Sequence, residues 1–170
     1  LKDFRLRGRV LDIGGGGEGV IGQLAGESAI AIDKLKSELE EASECKCIKI
    51  VMDATEMGFI DGTFDTVTAF FSFMYMPPDD IIKVLREAYR VLKDRGELHI
   101  WDMSIPKRFR EDKEYYVILL LIDIGKDIIR TGYGTRWNRT QDSQMLLSMA
   151  AEEGFKIMES LEAVSYTHLR

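Results

Sequence analysis

Cysteine is scarce. Cys45 and Cys47 are the only two in 170 residues, which excludes a zinc cluster built from four cysteines. Taken as part of an extended segment, the pair is expected to be two reduced thiols without a mutual disulfide, the state of a cytoplasmic protein. Histidine is as rare. His99 falls in the middle of an apolar stretch and His168 in the terminal run, so neither is placed to catalyse. Basic charge is not in excess: the formal net charge is -6, which argues against a nucleic-acid backbone as the main partner. No apolar run reaches the roughly 18 residues of a membrane-spanning helix, and no signal peptide is recognisable. Internal repeats and low-complexity linkers are also missing. What remains is an ordinary globular balance, 45% hydrophobic and 31% charged, long enough for one domain over residues 1–163. The run 164–170 follows no pattern set by that domain and reads as a non-native tail.

Against this background one stretch is dense in information: Val10-Leu11-Asp12-Ile13-Gly14-Gly15-Gly16-Gly17-Glu18-Gly19. Four apolar or short residues predict a buried strand over 10–13, then a glycine turn, then a helix over about 18–25. Glycines permit torsions that other residues resist, and they let a ligand approach the backbone. A helix start adds unpaired N–H groups. The spacing Gly14-x-Gly16-x-x-Gly19 fits a dinucleotide fingerprint, a weak signal alone. Asp12 is more telling. A carboxylate at the mouth of the turn repels a pyrophosphate and suits a ligand carrying an ammonium and a sulfonium. A glycine turn with no ligand is the plain alternative.

Alternation and breakers organise the rest. Residues 28–33 form a second short apolar strand ending in Asp33, about 20 positions beyond the turn, where an acidic residue binds ribose hydroxyls in Rossmann-type sheets. Capping of the following polar helix, 34–42, is its other reading. Lys34 either borders the adenine or is solvated. Residues 47–54 read as a third strand ending in Asp53. Residues 64–71 form a fourth, running into the cluster Phe70, Phe71, Phe73, Met74, Tyr75. Pro77, Pro78, Asp79 and Asp80 open a helix to about Leu92, and 97–102 is the fifth strand, ending in Asp102. Residues 115–124 and 127–133 predict a hairpin about Gly125. The stretch 131–137 reads as a lid, a recognition loop or a structural turn. A helix over 140–153, ended by Gly154, precedes a sixth strand at 155–161.

With these residues in view, the chain resembles the class I S-adenosylmethionine-dependent methyltransferases, whose first motif is an acidic residue, a spacer and glycines. The likeness is strong over 9–102 and loose over 140–161. It departs where the family's third glycine falls on Glu18. The resemblance implies an α/β fold: a Rossmann-like open, mostly parallel sheet with helices on both faces, lacking the family's C-terminal strand. It implies S-adenosylmethionine as cofactor and methyl transfer to a small-molecule O, N or C nucleophile; the charge and the lack of long apolar runs add the expectation of no nucleic acid as main partner and no membrane. Asp12, Gly14, Gly15 and Gly16 then shape the turn, Asp33 and Lys34 border the ribose and adenine, and Asp53 with Ala54 holds the adenine. The methionyl group lies near the backbone at Phe70, and Tyr75 is the candidate to touch the acceptor, with Asp102 a weaker one. A nicotinamide-dependent oxidoreductase, or a non-catalytic cofactor-binding domain or fragment, remains the alternative.

Overall fold

A computed structural model describes Leu1 and residues 3–161. The tail at 164–170, with His168, and the last expected domain positions, 162–163, lie outside the described residues.

Five strands form one parallel sheet: β1 (Val10–Ile13), β2 (Ala29–Asp33), β3 (Ile48–Val51), β4 (Phe64–Phe70) and β5 (Leu92–Trp101), in the order β3-β2-β1-β4-β5. The chain builds outward from β1 in one direction, then returns to its other side through β4. Four helices accompany them: α1 (Val20–Ala25), α2 (Lys36–Glu41), α3 (Pro78–Val91) and α4 (Ser143–Glu152). Alternation along β1 sends Leu11 and Ile13 to one face, where they meet Ile81, Val84, Leu85 and Ala88 of α3 and Leu146 of α4. Val10 points to the opposite face, onto Ile21 of α1. A central strand buried on both sides must read as a continuous apolar run, and β1 does, with Asp12 as its one polar residue.

Local chemistry sets the element ends. Asp79 and Asp80 lie in the first turn of α3 behind Pro77 and Pro78, where negative charge meets the positive end of the helix. Asp142 caps α4 by accepting from the Met145 N–H at 2.8 Å. The Lys49 ammonium closes the far end of α2, donating to the Leu39 and Ala42 carbonyls.

Beyond β5 the chain makes an antiparallel hairpin, β6 (Tyr115–Asp123) and β7 (Ile128–Arg136), separate from the main sheet. It packs Ile122 and Ile124 against Val20 of α1. The stretch 131–137 is therefore neither loop nor turn: it is strand through Arg136, followed by the buried Trp137.

Two expectations are corrected. Cys45 and Cys47 form a disulfide, and among the described residues no cysteine is free. Extended strand geometry would hold residues two apart at about 6.8 Å. Here β3 begins only at Ile48, the segment before it bends, and the Cα atoms lie 5.2 Å apart, within disulfide range. The second correction is the sixth strand. Residues 155–161 form none. Phe155 is drawn edge-on to Tyr89 of α3, and Ile157, Met158 and Leu161 beyond it are exposed; an alternating pattern makes no strand without a ladder partner.

Candidate active site

The sheet order reverses between β1 and β4, so their carboxyl ends open a crevice at a topological switch point, where sheets of this class bind ligands. Asp12 lies beneath it, 2% exposed. The Thr68 hydroxyl of β4 donates to its Oδ1 at 2.8 Å. Burial pushes the Asp12 carboxyl up to about 7; the Thr68 hydrogen bond opposes this, and the charge of Asp33 adds to it. The Gly14 and Gly15 N–H groups both donate to the Ile32 carbonyl, at 2.8 and 3.0 Å, which hooks the turn onto the end of β2.

The glycines are required by close approach. Gly14 has φ of 70°, and a Cβ there would lie 2.5 Å from the Ser72 Cβ on the loop leaving β4. A Cβ on Gly15 would meet Asp12 Oδ2 and the Ala31 Cβ, each at 2.7 Å, and one on Gly16 would lie 2.5 Å from the Glu38 Cβ and 3.1 Å from Asp33 Oδ2. The turn is thus wedged between the two carboxylates and α2.

Asp33 does not cap α2 directly; Leu35 holds that position. Its Oδ1 accepts from the Leu35 N–H at 2.9 Å, while Oδ2 is turned toward Gly16. Asp53, just past β3, accepts from the Thr55 N–H and hydroxyl at 2.8 and 2.7 Å. Those bonds are the chief cause of its lowered pKa, and Lys34 and Lys83 add to it. So the turn reading of Asp53 describes its contacts, and the exposed Lys34 is within electrostatic reach of it. Ala54 packs against the main core.

On the β4 side, Phe71 leaves the strand in a left-handed conformation, φ 52°, which a non-glycine residue adopts only under constraint. Its N–H donates to the Trp101 carbonyl at 2.7 Å. Ser72 follows, 6% exposed, and its hydroxyl has no partner among the described residues. Tyr75 is 57% exposed. Partial burial, and the carboxylates Glu18, Asp102 and Glu38 around it, raise its pKa against a hydrogen bond with the Gly134 backbone. Its phenol therefore stays protonated at neutral pH and is available as a donor. Asp102 is committed to structure: it accepts from the Met74 and Met103 N–H groups and the Gln141 amide, and burial pushes it up to about 6.

Besides Ser72, two contributors were not foreseen, Glu18 and Tyr133. Glu18 accepts hydrogen bonds from the Thr131 hydroxyl and, at 2.9 Å, from the Tyr133 hydroxyl of β7. Tyr133 in turn stacks on Phe71, centroids 4.6 Å apart and planes within 10°. The hairpin is thereby clasped over the crevice. The signal was present in Glu18, a long acid where the family pattern places glycine.

The structure brings together Asp12, Gly14, Gly15, Gly16 and Asp33 around the turn, with Phe70, Ser72 and Tyr75 across the crevice. This set fits S-adenosylmethionine: a turn whose glycines leave its backbone bare of side chains, a buried hydroxyl without a partner among the described residues, and carboxylates suited to a cationic ligand.

Comparison with known proteins agrees. The methyltransferase domain family matches residues 11–100. The ubiquinone/menaquinone biosynthesis C-methyltransferase UbiE of Rickettsia felis is 28% identical, over 96% of this chain and 72% of that protein. Among solved structures, the PH0226 protein of Pyrococcus horikoshii superposes with a TM-score of 0.65 at 21% identity, over 95% of this chain and 80% of that one. An S-adenosylmethionine-dependent methyltransferase of Mesorhizobium loti gives 0.60 at 16%, over 89% and 75%. At these identities the two structures speak for the fold alone.

Proposed function

The chain belongs to the methyltransferase domain family and is an S-adenosylmethionine-dependent methyltransferase acting on a small molecule, and from this premise we propose that it methylates a nucleophilic carbon of an apolar, aromatic acceptor. Support comes from the UbiE relative, named for C-methylation in quinone biosynthesis, and from the aromatic side of the crevice, where Phe71 stacks on Tyr133 and Tyr75 bonds the backbone of neighbouring Gly134. The observation that carries the reading is the buried Asp12 under a glycine turn flanked by Asp33.

In this reading the residues divide the work. Asp33 takes the ribose hydroxyls through its inward oxygen, and Lys34 borders the nucleoside. Asp53 and the backbone at Ala54 hold the adenine edge. Gly14, Gly15 and Gly16 let the turn pack tightly and present bare backbone to the cofactor, while Asp12 sets the field beneath it. The Phe70 backbone and the Ser72 hydroxyl receive the amino-acid end. Bound S-adenosylmethionine supplies an activated methyl on a sulfonium. The protein's contribution is alignment and exclusion of water. Tyr75, held protonated, donates a hydrogen bond to an acceptor oxygen and thus orients the ring.

Calorimetry with S-adenosylmethionine, S-adenosylhomocysteine and NADH tests the cofactor assignment. Binding of the first two alone is expected. A screen of hydroquinones and phenols with isotopically labelled methyl donor, read by mass spectrometry, tests the acceptor. Label on ring carbon supports the proposal; label only on oxygen or nitrogen overturns it.

A further inference from the structure

The hairpin has two unlike faces. Its register pairs Tyr115 with Arg136, Val117 with Gly134, Leu119 with Gly132, Leu121 with Arg130 and Asp123 with Ile128. Residues paired across an antiparallel ladder share a face. The other set, including Tyr116, Ile118, Leu120, Ile122 and Tyr133, is turned inward onto the domain. The first set is turned out. Leu119 is 84% exposed and Leu121 69%, and Tyr115, Val117 and Ile128 are exposed as well. The glycines sharpen this stripe: a Cβ on Gly132 or Gly134 would lie 3.0 or 2.9 Å from the side chains of Leu119 or Val117, so the aliphatic groups lean across both strands. From Tyr115 to Leu121 the stripe runs about 20 Å.

A stripe of this kind costs solubility unless it has an occupant. The charges around it say which. Arg130 and Arg136 flank it on the same face, and neither side chain has an ion-pair partner among the described residues. Lys126 stands at the hairpin turn, equally unpaired. In a chain of net charge -6, residues 107–139 hold eight basic and five acidic side chains. The one acid on the outward face, Asp123, lies at the turn end and accepts from the Gly125 N–H. A second copy of the same face would set arginines against arginines with little acid to answer them.

We propose that the outward face of the hairpin docks on an anionic lipid surface, with Val117, Leu119 and Leu121 entering the headgroup region and Arg130 and Arg136 meeting lipid phosphates. Apolar insertion joined to electrostatic attraction is how peripheral proteins bind bilayers. Arginine stems lie along apolar surface while the guanidinium stays at the headgroup level. No described helix is long and apolar enough to cross a membrane, so the contact is one of surface docking. It places the crevice, whose rim the same hairpin forms, next to the bilayer.

Vesicle flotation with the full chain tests this. Vesicles of phosphatidylcholine with phosphatidylglycerol are compared with phosphatidylcholine alone, at low and high salt. Co-flotation with the anionic vesicles is expected, weakened by salt. Leu119→Ser with Leu121→Ser should reduce it roughly tenfold or more, and Arg130→Gln and Arg136→Gln roughly fivefold each. All four positions are remote from the core, and far-UV circular dichroism checks that each variant folds. Three results would overturn the proposal: no flotation by folded protein, flotation unchanged in the leucine variant, or a dimer in light scattering that the leucine variant abolishes. Cofactor binding read by calorimetry on the same samples is independent of each, so failure of the docking and failure of the methyl-transfer reading are told apart.

Discussion

The Glu18 carboxylate accepts a hydrogen bond from the Tyr133 hydroxyl at 2.9 Å, across 115 positions of the chain. The first residue of this pair ends the glycine turn and the second sits mid-strand in the hairpin, so one contact joins the cofactor crevice to the element that covers it. Burial, and then this acceptor, raise the Tyr133 pKa far above its usual value, which keeps the phenol a donor at any physiological pH.

Tyr133→Phe removes that hydroxyl and leaves the ring stacked on Phe71. A hydrogen bond to a charged acceptor contributes about 1.5 kcal/mol or more when shielded from water, and here the pair is only partly buried. Amide exchange in β7 should therefore quicken roughly fivefold, with β1 and β4 unchanged. Unchanged exchange in β7 would mean that packing alone holds the hairpin down.

Asp33→Ala should weaken S-adenosylmethionine binding by roughly tenfold to a hundredfold, as loss of a charge-assisted contact to two hydroxyls implies. The melting temperature should barely move, because the side chain's one bond among the described residues, to the Leu35 N–H, is solvent-exposed. Calorimetry with equal affinity for both proteins would remove Asp33 from the ribose site.

Much of the fold was legible because each cue was local. The apolar run of β1, the acidic ends of β2 and β3, the prolines before α3 and the Gly125 break in the hairpin each declare themselves within a few residues. What was illegible depended on contacts between distant segments. The disulfide needed the bend before β3, which nothing in Cys45-Lys46-Cys47 announces. The segment 155–161 alternates like a strand, yet Phe155 found Tyr89 instead of a ladder. Ser72 became a site residue only because β4 exits against Gly14, and Asp102 left the acceptor side because two backbone N–H groups and Gln141 claim it.

That last arrangement has a price in sensitivity. Asp102→Ala strips acceptors from the Met74 and Met103 N–H groups and from Gln141, which is itself 2% exposed. The Gln141 amide keeps the Met103 carbonyl as a second acceptor, so two N–H groups are left unpaired at about 1–3 kcal/mol each, and denaturant unfolding should report a loss of roughly 2–6 kcal/mol. A loss below about 0.5 kcal/mol, the range of a neutral surface change, would show that Asp102 does not hold this corner together.

The Cys45–Cys47 bridge closes a very small ring. Loop-closure entropy makes such a bridge worth about 1.5 kcal/mol. Cys45→Ser with Cys47→Ser should lower stability by no more than that and leave cofactor affinity unchanged, since the sulfurs pack against Gly22 of α1. Thiol titration of unfolded protein should find no free thiol before reductant and two after it. Two thiols before reductant would return the pair to the reduced state.

Asp12 gives the protein a pH dependence of defined sign. In the unfolded chain its carboxyl titrates near the usual 3.8, and in the folded chain near 7. Between those values the native state holds a proton that the unfolded state has lost, so stability falls as pH rises from about 4 to about 7 and levels off above. At about 1.4 kcal/mol per unit the full effect is at most about 4 kcal/mol. Asp12→Asn keeps an oxygen for the Thr68 hydroxyl and removes the charge. The difference in unfolding free energy between variant and parent should therefore grow in the variant's favour from pH 4 to pH 7; taking the difference cancels the carboxylates that do not interact with Asp12. The cofactor should behave in the opposite sense. A cationic ligand over the turn prefers the ionised carboxylate, so S-adenosylmethionine should bind more tightly at pH 8 than at pH 6 in the parent, with the dependence flattened in Asp12→Asn. Parallel pH profiles in the two proteins would show that the carboxyl titrates elsewhere, or does not sense the ligand.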